Sequence, residues 1–435
     1  MRATKSPLSA LLAGIVVMGS TLFAGCQTYD FEPVDPLSIA QTTVEDVIKA
    51  KRSKPNVMLL VDTSGSMTDP VNPSSALCKL PSGATCGGKD TPCDTSKCPT
   101  RWSDLQAAMG PFLANSGKLL RFGLTTYPVP PPDSTGSATA AESCAAATAV
   151  SVRKDLPASG EDDDSLLAHA STINTLIQSI PNAGVGMPAG GTPTSGSLTF
   201  VSGLASFNAP DKDDRDQFVI LLTDGLPNCN FNNAIEGPSA ECRCTFDNAS
   251  QCSGSYRKAG CLDLDASVQA ARALRKDKGI RTIVIGFGAE TNNGVGTEVL
   301  NAVSDAGEFA RFQPCTEATQ QTDCGSGDSC DPSTRFCRRH FYQAGNQQEL
   351  AAALEAISNK LVIKDPCLFK MKSYEIPEDP KLIVVYVNDK SVPAGADTWE
   401  LTADGVSFKG GTCEQLKASR PEAPVTVEVR AIRKH

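Results

Sequence analysis

Asp62, Ser64 and Ser66 stand at alternate positions in LLVDTSGSMT, where the apolar run Asn56–Val61 comes to an end. Two later stretches offer the same kind of atom. Gly190-Gly191-Thr192-Pro193-Thr194 is a glycine-rich loop leading into a helical pattern, and Leu222-Thr223-Asp224-Gly225 closes the run FVILL. Two carboxylates, Asp62 and Asp224, with the hydroxyls of Ser64, Ser66 and Thr192 form an all-oxygen donor set that suits a hard divalent cation. Mg2+ fits best, because it takes one or two protein carboxylates and keeps several waters; Ca2+ and Mn2+ accept a similar set. Neutral hydroxyls leave much of the ion's charge uncompensated, so an acidic group from another molecule would complete the coordination favourably. That chemistry is ligand capture.

Catalysis asks for more. A serine nucleophile needs a base within hydrogen-bond reach. The chain has three histidines: His169 in a helical stretch, His340 behind a cysteine-rich loop and His435 at the end. None is tied to Ser64 or Ser66 by a recognisable spacing, and GxSxG is absent, so no catalytic residue is assigned and the chain is expected not to be an enzyme. The acidic run EDDD at 161–164 lacks the ligand spacing of a metal loop and reads as solvated charge.

The elements that must hold these donors follow from periodicity. Asn56–Val61, Arg121–Tyr127, Phe218–Leu222 and Thr282–Phe287 read as strands, Val57–Val61 and Phe218–Leu222 being unbroken apolar runs. Between and after them Trp102–Leu113, Leu166–Ile180, Thr194–Ala205, Leu264–Arg275 and Gln348–Leu361 carry helical patterns. Strands apolar on both faces and separated by helices predict an α/β fold, a doubly wound and mainly parallel sheet spanning about 55–362. Ligands bind such sheets at the carboxyl ends of the strands, where all three oxygen-bearing stretches fall.

At Asp62-x-Ser64-x-Ser66, Thr192 and Asp224 the chain resembles the von Willebrand factor type A family, which includes the integrin inserted domains. The resemblance covers roughly 55–362, interrupted by cysteine-rich insertions near 70–100, 226–261 and 313–340. It implies a metal-ion-dependent adhesion site, with Ser64, Ser66 and Thr192 contacting the ion and the two acids acting largely through water.

Seventeen cysteines bear on the compartment. Setting Cys26 aside leaves an even set: Cys78, Cys86, Cys93, Cys98, Cys144, Cys229, Cys242, Cys244, Cys252, Cys261, Cys315, Cys324, Cys330, Cys337, Cys367 and Cys413. No CxxC occurs, Cys242-Arg-Cys244 being the tightest pair, so disulfides are expected rather than zinc. Residues 1–25 read as a signal peptide, basic at Arg2 and Lys5, apolar from Leu8 to Phe23 and small at Ala24-Gly25. Cys26 then resembles an acylated lipobox cysteine, with Phe23 where Leu is usual and Leu22 one place earlier. Gln27 resembles the outer-membrane sorting signal. Residues 26–54 form a lipidated tether, and no later segment is long and apolar enough to span a bilayer.

Residues 128–162 read as a mobile insertion pinned by Cys144. Residues 365–435 read as a β-rich extension, closed by Cys367 and Cys413, with a tight turn at Gly410-Gly411. A formal charge of −9 with no basic stripe excludes nucleic acid as a partner. The whole layout resembles myxobacterial and related surface lipoproteins of gliding motility. It implies a lipid-anchored adhesin of the outer-membrane surface that captures the substratum or an acidic ligand and engages motility or adhesion complex proteins. The alternative is an envelope scaffold that docks a partner complex, with the metal site structural or regulatory.

Overall fold

Val57, Met58, Leu59, Leu60 and Val61 have no solvent exposure and form the middle of β1 (Ser53–Asp62). Successive side chains of a strand point to opposite faces, so Val57, Leu59 and Val61 enter one core while Met58 and Leu60 enter another. The computed structural model describes residues 53–131, 138–158, 162–209, 215–246, 248–288, 291, 294–325, 327–361, 367–371, 376–377, 379–417 and 425–431. Residues 1–25, expected to be a signal peptide, Cys26, nearly all of the expected tether 26–54, Glu161 and His435 lie outside the described residues. The chain divides into Met1–Asp46 and Val47–His435, and every described residue belongs to the second unit.

After β1 come α1 (Arg101–Ser116), β2 (Arg121–Tyr127), the single turn α2 (Ala140–Ser143), β3 (Val152–Lys154), α3 (Asp163–Gln178), α4 (Thr194–Ser202) and β4 (Arg215–Thr223). They are followed by α5 (Leu264–Lys278), β5 (Ile280–Phe287), α6 (Gly294–Ala306), the short α7 (Gln320–Asp323), β6 (Tyr342–Ala344) and α8 (Gln347–Leu361). The sheet order is β3-β2-β1-β4-β5-β6, parallel throughout except for β3, which runs antiparallel to β2. Helices α1, α3 and α8 cover one face and α4, α5 and α6 the other. This is the doubly wound α/β fold that the sequence predicts.

The stretch 128–162, expected as a mobile insertion pinned by Cys144, is tied through Cys144 to Cys229, and its described part contains α2 and the edge strand β3, which were not expected. Asp162, Asp163 and Asp164 are exposed, as solvated charge should be, and they also serve α3: Asp162 Oδ1 accepts from the backbone N–H of Asp164 and Ser165, capping the helix, and Asp163 and Asp164 occupy its first turn. Negative charge is favoured there by the helix dipole. Strand β6 and helix α6 were not foreseen.

The carboxyl-terminal region holds β7 (Leu368–Lys370), β8 (Ile383–Val387), β9 (Lys390–Val392), β10 (Trp399–Thr402), β11 (Gly405–Phe408), α9 (Gly410–Lys417) and β12 (Val427–Ala431). They make two three-stranded sheets, β10-β11-β7 and β12-β8-β9, around a core that includes Phe369, Val385, Trp399, Val406 and Val427. Cys367 pairs with Cys413 as expected, but Gly410 and Gly411 open α9 rather than form a free turn.

All sixteen cysteines beyond Cys26 are disulfide-bonded, which accounts for the sulfur clusters without zinc. Six pairs stay within one insertion: Cys78–Cys98, Cys86–Cys93, Cys242–Cys261, Cys244–Cys252, Cys315–Cys330 and Cys324–Cys337. Cys144–Cys229 joins segments 85 residues apart. Among the described residues no helix is long and apolar enough to cross a membrane.

Candidate metal centre

The strand order reverses at β1, so β1 and β4 lie side by side while their connections leave in opposite directions. A crevice opens at their carboxyl ends, the usual ligand position in such sheets. Asp62 is the last residue of β1 and Asp224 follows the last residue of β4, and both are fully buried. Asp62 Oδ1 accepts from the backbone N–H of Ser64 (2.8 Å), and its Oδ2 accepts from Thr223 Oγ1 (2.7 Å). The hydroxyls of Ser64 and Ser66 lie 3.1 Å apart, and Ser66 Oγ donates to Asp224 Oδ1 at 3.0 Å.

Thr192 arrives on a third segment. Its N–H donates to Asn228 Oδ1 (2.7 Å) and its carbonyl accepts from Asn228 N–H (2.9 Å), so Asn228 clamps it from both sides. Backbone hydrogen bonds from Gly65 to Gly190 and from Ala189 to Thr63 fasten this loop to the first. The paired glycines are a packing requirement. A Cβ on Gly190 would meet the Ser143 carbonyl oxygen at 2.7 Å, and one on Gly191 would meet Cys229 Sγ at 2.5 Å. The Cys144–Cys229 disulfide therefore forms the floor of the Thr192 loop. A Cβ on Gly225 would stand 3.6 Å from Thr192 Oγ1 and 3.7 Å from Ser66 Oγ, which places these hydroxyls around one point beside Asp224.

The structure thus gathers Asp62, Ser64, Ser66, Thr192 and Asp224. Burial, and after it the charge of Asp224, push the Asp62 carboxyl up to about 7 from its ordinary 3.8, against the hydrogen bonds from Thr223 and Ser64. Tyr127 is also buried here; burial and then the charge of Asp62 raise its phenol well above the usual range. Crowded carboxylates and convergent hydroxyls fit a divalent cation, which would relieve their repulsion and take oxygen donors.

Two residues of the site were missed from sequence. Asn228 gives no local signal. Arg101 gives a faint one, a cation at the first position of a helix, where the dipole disfavours it. Its Nη1 lies 2.7 Å from Asp224 Oδ2, and the pair is buried.

The histidines are elsewhere. His169 bonds the Asp155 carbonyl through Nε2, and His340 Nδ1 pairs with Asp305 at 2.8 Å. Insertion 70–100 leaves directly after the Ser66 turn and returns through the Pro70–Thr100 bridge, while 226–261 leaves directly after Asp224. Insertion 313–340 instead leads into the start of β6, at the opposite edge of the sheet.

No protein-family model matches the chain, and no curated protein matches it. Among solved structures, the pilus adhesin SpaC from Lactobacillus rhamnosus GG is similar at 15% identity, with 87% of this chain and 40% of that chain covered and a TM-score of 0.38. The PilB minor pilin from Streptococcus sanguinis is similar at 15% identity, over 71% of this chain and 61% of that one, with a TM-score of 0.37. Proximal thread matrix protein 1 from the mussel byssus, with a zinc-occupied MIDAS motif, gives 12% identity, 71% and 48% coverage and a TM-score of 0.33. The chain spans between 40% and 61% of the length of these proteins. At such TM-scores the likenesses carry no argument; the fold rests on the strand order.

Proposed function

We propose that this chain is a von Willebrand factor type A adhesin, lipid-anchored at the outer-membrane surface, that captures an acidic ligand through a divalent cation. Its five site residues would hold the ion, the hydroxyls of Ser64, Ser66 and Thr192 directly and Asp62 and Asp224 largely through water. The observation that carries this reading is the convergence of three segments, distant in sequence, on one cluster of oxygens at the switch point of the sheet. The ion would supply a Lewis-acidic position for a ligand carboxylate, and binding rather than catalysis is its task. Coupling to the substratum in gliding motility is the cellular role that the layout favours.

A second reading, a scaffold that docks a partner complex without an ion, is favoured by the Arg101–Asp224 pair, which already satisfies one carboxylate. Adhesion of cells carrying the wild-type chain or Ser64→Ala separates the two, measured in Mg2+ and in EDTA with protease shaving to report exposure. The adhesin loses attachment in EDTA and in Ser64→Ala while remaining accessible to protease. Attachment unchanged in both sinks the cation reading.

A further inference from the structure

Arg101 is the one cationic side chain that the described residues place against the proposed cation cluster. It is buried, with 8% of its side chain exposed, and three features fix it. Thr100 caps α1, its hydroxyl accepting from Ser103 N–H and its own N–H donating to Ser103 Oγ. Arg101 N–H donates to the Asp69 carbonyl, just beyond the Ser66 turn. Gly288, at the end of β5 with φ +98, leaves room for the side chain, since a Cβ there would meet Arg101 Nε at 2.9 Å. The guanidinium is thereby held with Nη1 2.7 Å from Asp224 Oδ2 and 3.5 Å from the Ser66 carbonyl oxygen. The other oxygen of Asp224, Oδ1, is the one that faces Ser66 Oγ.

We propose that Arg101 is a built-in counter-cation that weakens divalent-cation binding at this site and makes tight uptake of the ion conditional on an anionic ligand. The proposal rests on the cation reading above and concerns its regulation. Charge counting gives the direction. Relative to the two carboxylates of Asp62 and Asp224 by themselves, Arg101 makes the cluster that receives a divalent ion one unit less negative. One ligand carboxylate restores that unit. Because the guanidinium and the ion share Asp224 in a buried setting, their repulsion is poorly screened. Arg101 also props Asp224 while no ion is bound, so a loaded and an empty site differ less in strain than two bare carboxylates would.

The test uses the mature chain, Arg101→Gln, Arg101→Met as a second neutral variant, and Arg101→Lys. Mn2+ is titrated with free Mn2+ read by electron paramagnetic resonance, with and without excess acetate, and melting is followed in EDTA. Both neutral variants are expected to melt lower in EDTA yet bind Mn2+ about tenfold more tightly or better. Acetate should tighten Mn2+ binding to the wild type more than to the neutral variants, and Arg101→Lys should stay near wild type. Neutral variants that melt lower but bind Mn2+ no more tightly would show that Arg101 merely braces α1, and the proposal would fall. No Mn2+ binding by any of the four chains would overturn the cation reading itself, a result distinguishable from the first.

Discussion

The strongest single perturbation is Asp62→Asn. The amide has the carboxylate's shape: its oxygen can keep the Ser64 N–H bond, and its NH2 can donate to Thr223 Oγ1, which turns to accept. What changes is charge. The Asp62 carboxyl sits at about 7 in the folded chain against an ordinary 3.8, so the native state holds the proton more tightly than the unfolded one. Its stabilising contribution is therefore complete below about pH 4 and is lost as pH rises through about 7. Asn behaves as a permanently neutral Asp. Integrating the linkage, the stability advantage of Asp62→Asn over wild type in the absence of metal should widen by about 2–3 kcal/mol between about pH 5 and pH 8. Urea unfolding of both proteins in EDTA across that range measures it. At about pH 8 Mg2+ or Mn2+ should then raise the wild-type midpoint, since an ion neutralises the ionised carboxylate, and leave the variant unmoved. An advantage that stays flat with pH, or shrinks toward pH 8, would refute the claim that Asp62 is held ionised against its surroundings.

Three further outcomes are expected. Ser66→Ala, which removes the link between Ser64 and Asp224, should weaken Mn2+ binding about tenfold or more by calorimetry while costing only about 1 kcal/mol of fold stability. Replacing Cys144 and Cys229 together by Ser should cost about 2–5 kcal/mol in urea unfolding, because the bridge closes 85 residues of chain, and should also weaken Mn2+ binding by loosening the floor under Thr192. Exchanging insertion 313–340 for a short linker should leave the Mn2+-dependent melting shift unchanged, since that insertion meets the sheet at the far edge, whereas the same exchange of 226–261 should diminish it.

The central strands could be read from sequence because β1, β4 and β5 are apolar on both faces, which only a sheet covered on both sides explains. The site could be read because each donor stretch abuts such a run or a helix start. β3 and β6 could not: three residues are too few to show a period, and they exist by pairing with β2 and β5. Helix α6 opens on Gly294-Val295-Gly296, a poor helical start, and its identity lies in Leu300 and Val303 packing under the sheet. Cysteine clustering foretold the local disulfides, while Cys144–Cys229 depended on where the Gly190-Gly191 loop comes to rest. Arg101 was hidden for the same reason. Its partner is 123 residues away, and only the folded crevice turns a surface-looking charge into a buried one.

Strand β1 has a mechanical consequence. It runs from Ser53 to Asp62 in the middle of the sheet, with Ser64 and Ser66 just beyond its far end. A tug between a captured ligand and the chain preceding Ser53 would travel along the strand's own axis. It is bound in parallel to β2 from Asn56 to Asp62 and to β4 from Asn56 to Val61, so the load would fall in shear on both ladders at once. Hydrogen bonds loaded that way must slip together, whereas those at a peeled edge give way in turn. The residues proposed to hold a ligand are thus spliced to the segment best suited to bear tension.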